Sequence, residues 1–144
     1  MTQKDPMSWT GHFPELQRLP PDLLSQLVQA SRIVTLPAGS VIFGLGQTPA
    51  GYLLLLSGSV RVQQVSENGR EIVLYRVAPG ESCAITTACL MGQDTYQAEA
   101  VAETPVEAVV IPRETFDILI SASAEFRRFV FAALSNRMTN LFKL

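Results

Sequence analysis

Seven glycines, at positions 39, 46, 51, 58, 69, 80 and 92, divide the middle of the chain into short runs about ten residues apart. The runs between them, 32–36, 41–43, 52–56, 59–65, 70–77, 96–103 and 106–111, are rich in β-branched and alternating residues. Short strands at this spacing close into a sandwich, roll or barrel, and they leave no room for a helical bundle. Asn68-Gly69 is the strongest hairpin signal among them, because both residues accept positive φ. Helices are expected only at the flanks. Pro20-Pro21-Asp22 opens one with the stripe Leu23, Leu24, Leu27, Val28. Pro112-Arg113-Glu114 opens a second, and 124–144 reads as a long third helix without Gly or Pro. The expectation is a mainly β fold with flanking helices. It divides into a flexible arm over 1–14, a β-roll domain over 15–122 and a long helix over 123–144.

Several function classes drop out on composition. A net charge of −2 lacks the basic surplus of a chain that binds nucleic acid by itself. No apolar run reaches the ~18–20 residues of a membrane span, and the N-terminus shows no apolar signal region. Two cysteines make no disulfide framework, so a cytoplasmic setting with reduced thiols is expected. The single histidine, His12, lies in the expected arm. Nothing resembles a catalytic constellation, so no enzyme activity, no metal and no resident cofactor are expected.

The residue types with chemistry to offer gather in one stretch, 79–97, which holds both cysteines. Thr86 or Thr87 is expected to cap a short helix over 88–91, with Gly92 as its stop. Free backbone N–H groups at such a helix start hold an anion or a polar ligand; the plain alternative is a capped turn that plugs the core. Cys89 in the first turn is expected to have a lowered pKa, with Cys83 as its resolving partner in a thiol switch. The two would meet only if the chain turned a corner at Thr86-Thr87, because a straight segment holds them beyond the roughly 7 Å disulfide limit. The rival is that both are buried small hydrophobes. The candidate ligand site is Cys83, Ile85, Thr86, Thr87, Cys89, Tyr96 and Gln97, and the redox pair is Cys83 and Cys89. On the long helix, Phe126, Val130, Ala133, Leu134, Met138 and Leu141 form an apolar stripe that is expected to pair with a second copy.

Leu36-Pro37-Ala38-Gly39, the Gly46 loop, LLSGSVRV at 55–62, Glu67-Asn68-Gly69-Arg70-Glu71 and VAPG at 77–80 resemble the effector domain of Crp/Fnr-type transcription regulators. The resemblance covers about residues 15–144. It implies a cyclic-nucleotide-binding-type β-roll, a double-stranded β-helix of jelly-roll kind, with a long C-terminal dimerisation helix. It also implies a homodimer whose DNA contact comes from a helix-turn-helix downstream of Leu144. Members of that family that bind cAMP grip the cyclic phosphate with an arginine in the short-helix cassette. Here that position falls near Tyr96, and no arginine lies between Arg76 and Arg113. A phosphate would lack its bidentate cation, so the expectation is an effector other than cAMP. The alternatives are a stand-alone cyclic-nucleotide-binding module or a cupin-like roll; the latter needs histidines on facing strands that this chain lacks.

Overall fold

The computed structural model describes residues 8–141. Seven strands form two antiparallel sheets. The first has β1 (Arg32–Leu36), β7 (Val106–Pro112) and β3 (Gly51–Ser57) in the order β1-β7-β3. The second runs β2-β6-β4-β5, from β2 (Val41–Phe43), β6 (Glu99–Ala102), β4 (Val60–Val65) and β5 (Glu71–Val77). The Asn68-Gly69 signal delivers its hairpin: Val65 stands opposite Glu71, and Gly69 takes φ 78°. The β3–β4 connection needs glycine for a second reason. Gly58 has φ 90°, and a Cβ there would lie 2.4 Å from the Pro105 carbonyl oxygen.

The period-2 alternation of the first sheet serves two cores. Leu55, Val106 and Ala108 face inward between the sheets, where they meet Val60, Val62, Val77, Ala100 and Ala102. Tyr52, Leu54, Leu56, Val109 and Ile111 face outward onto a helical layer. That layer contains α1 (Pro21–Ala30), α3 (Arg113–Ala122) and α4 (Ala124–Leu141). α2 (Ala84–Gly92) plugs the end of the roll beside β3 and also touches α4, and its Leu90 joins the outer core.

Two expectations change here. The flexible arm over 1–14 does not hold for its described part. Residues Ser8–His12 and Pro14–Arg18 form 3-10 turns, and Trp9 and Phe13 are buried against the helical core. Phe13 meets Phe129 of α4 edge-on, with centroids 6.0 Å apart. The long-helix stripe is also divided. Phe126 and Val130 are fully buried in the chain's own core, so they are not available as dimer contacts. Ala133 and Leu134 are half-buried and Met138 is exposed; the Leu141 side chain lies outside the described residues. The α3–α4 junction is tied. The Phe126 N–H donates to Ser123 Oγ at 3.1 Å, and Arg127 Nη1 donates to the Ile120 carbonyl at 2.7 Å. Arg127 thus satisfies an end carbonyl of α3 and does not simply face solvent.

Candidate functional site

The local cause of α2 differs from the expected Thr cap. Cys83 is its N-cap residue, without a side-chain cap bond, and the helix runs through Thr86 and Thr87. Both threonines are buried. Thr87 Oγ1 bonds back to the Cys83 carbonyl at 3.0 Å, a four-residue return common for hydroxyls inside a helix. Gln93, not Gly92, adopts the left-handed conformation that ends the helix, at φ 54°.

Neither cysteine has the setting on which the expected switch rests. Cys89 sits in the second turn, clear of the positive helix end. Burial pushes its thiol pKa up, and the neighbouring Asp94 carboxylate pushes it further. Six helical positions give about 9 Å of rise between Cys83 and Cys89, beyond disulfide reach. Both are free and buried.

The structure gathers a group the sequence did not announce: all three tyrosines of the chain converge on α2. The Tyr75 hydroxyl lies 3.5 Å from Cys83 Sγ and accepts the Ile85 N–H at 3.0 Å. The Tyr96 hydroxyl bonds Thr86 Oγ1 at 3.0 Å, and its ring stacks on Phe43 at 3.7 Å with planes 6° apart. The Tyr52 hydroxyl is buried without an in-line hydrogen bond, beside the Ser82 and Thr87 hydroxyls. Burial pushes the Tyr52 and Tyr96 phenols up to about 12. It drives Tyr75 upward as well, with Cys83 adding to the shift.

From the far side, one cation of α4 reaches the same corner. Arg137 Nη2 donates to Glu81 Oε1 at 3.0 Å and to the Arg76 carbonyl at 3.1 Å. Its guanidinium lies 4.7 Å from the centre of the Tyr75 ring. A single side chain thus ties α4 to β5 and, through Tyr75, to the first turn of α2. Of the expected site residues, Cys83, Ile85, Thr86, Thr87, Cys89 and Tyr96 lie in this cluster, while Gln97 is exposed and outside it. Tyr75, Tyr52, Phe43 and Arg137 were missed.

The model for the cyclic nucleotide-binding domain matches residues 33–123, well over half of the chain. The chain belongs to this family. No curated protein sequence matches it. Among solved structures, it resembles a protein assigned to the Crp/Fnr family of transcriptional regulators from Eubacterium rectale, at 23% identity and TM-score 0.81. That match covers 91% of this chain and 61% of that one. The sensor domain of the transcriptional regulator DNR from Pseudomonas aeruginosa matches at 20% identity and TM-score 0.76, over 96% of this chain and 92% of that domain. The Thermus thermophilus catabolite activator protein matches at 25% identity and TM-score 0.70, over 88% and 59%. The chain therefore spans under two thirds of the Eubacterium rectale and Thermus proteins.

In this member of the cyclic nucleotide-binding family, the cavity found between the sheets has no charged residue in its lining. It is about 30 Å³, lined by eleven hydrocarbon side chains and Cys83. Arg61, the cation nearest in β4, faces away. Its Nε donates to Gln63 Oε1 at 2.6 Å, and its guanidinium lies 3.7 Å from Glu103. The larger concavity, about 490 Å³, lies outside the roll between the N-terminal turns, the 80–82 corner and α4. No helix among the described residues is long and apolar enough to cross a membrane, and no three acidic, Cys or His side chains cluster there as a metal set.

Proposed function

We propose that the chain is the sensing and dimerisation part of a Crp/Fnr-like transcription regulator, and that its effector is not a cyclic nucleotide. DNA contact would come from a segment beyond α4. The observation that supports this most directly is the α2 corner. Hydroxyls of Tyr75, Tyr96 and Thr86 occupy it, and the nearest guanidinium, Arg137, approaches from outside the roll. A cyclic phosphate placed there would lose water and gain no cation. A lever on the same corner supports the sensing role, because Arg137 joins α4 to Tyr75 and Glu81. Of the two cysteines only Cys83 contacts this lever, through the Tyr75 hydroxyl, so a thiol signal would act there as a single-site modification.

The dimer seam is the outer face of α4. Phe131 and Met138 are 44% and 50% exposed, and Leu134 stands between them at heptad-like spacing. Sedimentation equilibrium is expected to show a dimer, and Met138→Asp should raise its dissociation constant at least tenfold. Titration calorimetry with cAMP and with cGMP is expected to show no heat. A monomer at all concentrations overturns the dimer, and micromolar nucleotide binding overturns the effector assignment.

Arg137→Gln tests the lever. The lost ion pair and ring contact change global stability by no more than about 1–2 kcal/mol. Amide exchange in the first turn of α2 and the last turns of α4 is expected to rise severalfold together. Unchanged exchange in α2 would show that the two helices are not coupled through this residue.

A further inference from the structure

We propose that the interior of the roll is a binding site for a small, uncharged, apolar molecule of a few heavy atoms. This deepens the sensor reading above and rests on it for its consequence, not for the site itself.

The space exists because of particular residues. Ala98, Ala100 and Ala102 alternate along the inner face of β6 and its approach, and Ala108 sits on β7 across the core; all four are buried. Methyl side chains at these positions stop short of the opposite sheet. In front of Ala100 and Ala108 they leave the cavity of about 30 Å³. Elsewhere the two cores are filled by rings and branched chains. Leu36, Ile42 and Leu53 line the cavity and are only partly buried, so its mouth lies toward the β1, β2 and β3 side.

The lining decides the ligand class. Eleven of the twelve residues are hydrocarbon, and the twelfth is Cys83. An anion or cation would be desolvated with no partner. A water needs two to four polar partners and would find one thiol, so the lining favours an apolar occupant over water. Its size, on the order of two water-sized spheres, admits two or three heavy atoms before any wall moves.

The site reaches the lever through Cys83. Its sulfur lies 3.5 Å from the Tyr75 hydroxyl, which also holds the Ile85 N–H. The Tyr75 ring carries Arg137 of α4. An occupant that presses on Cys83 therefore presses on the tyrosine that carries Arg137 of α4.

Xenon is a suitable probe, since it is uncharged, polarisable and of the right size. Methyl-resolved NMR of the whole chain under xenon pressure is expected to give saturable shifts confined to Leu55, Val77, Ala100, Val106 and Ala108. Ala100→Val and, separately, Ala108→Val fill the space and should weaken xenon binding at least tenfold while the circular dichroism stays native. The absence of saturable shifts in the wild type overturns the site, whatever the variants do. So does undiminished binding in a folded filling variant. In either case the sensor reading is left standing. Saturable binding with no change in amide exchange across α2 and α4 has the opposite meaning: the site stands and its role as a sensor fails.

Discussion

Phe126→Ala is expected to lower the unfolding free energy by about 3–5 kcal/mol, the cost of truncating a buried ring where the walls relax only in part. Phe126 is fully buried on α4. Its ring centroid lies 5.8 Å from Phe116, 6.4 Å from Phe129 and 6.5 Å from Tyr52, in edge or tilted contacts that add to simple burial. The loss falls on a marginal total, since a domain of this size is stabilised by about 5–15 kcal/mol. Denaturant titration over a hundredfold range of protein concentration separates two meanings of the residue. A ring buried in its own chain gives the same loss at every concentration. A ring buried only between copies gives a loss that fades on dilution, where wild type and variant are both monomers. The first outcome is expected. Met138→Ala is the contrast: at 50% exposure its effect on the monomer should stay within about 0.5 kcal/mol.

The same helix shows what a sequence pattern conveys. A 3.6-residue period names a face, not the body that the face meets. Phe126, Val130, Leu134 and Met138 read as one seam. In three dimensions the first two meet the chain's own rings and the last two do not; beyond Ala133 the face of α4 that returns to the roll is that of Arg137. The strands were easier to read. Glycine turns and period-2 alternation are local, and each strand from β1 to β7 lies where its run of residues placed it to within a few positions. The N-terminal segment was misread because its apolar residues, Trp9, Phe13, Leu16 and Leu19, stand among Gly11, Pro14, Pro20 and polar neighbours, so their three- and four-residue spacing does not announce a packed segment. At the site, the Thr-Thr pair imitated a cap, although a hydroxyl that returns to its own helix satisfies the same valence. Tyr75 and Arg137 lie 62 positions apart, and neither stands in a local motif; the only available hint was that tyrosines are few.

Those tyrosines carry the remaining large effect, on the alkaline side. In the folded chain Tyr52 and Tyr96 are raised to about 12 and Tyr75 is also raised, so the folded state keeps protons that the unfolded chain releases near the usual value of about 10. The sign follows from that order. The contribution of each phenol is complete below pH ~10, and it is lost as the pH rises from there through the folded values. A group near 12 removes about 3 kcal/mol from stability once both values are passed. Two such groups, with Tyr75 acting in the same direction, are comparable with the whole stability of a domain. Absorbance at 295 nm is therefore expected to show almost no tyrosinate at pH 10 in the native protein. All three phenols should then ionise in one cooperative step between about pH 10.5 and 12, coincident with loss of the far-UV signal. Tyr75→Phe keeps the ring under Arg137 but removes the oxygen that accepts the Ile85 N–H. It should leave a two-phenol step of the same shape and loosen the first turn of α2. A phenol that ionises near pH 10 while the fold persists would place that hydroxyl in water. The α2 corner would then be open to polar ligands.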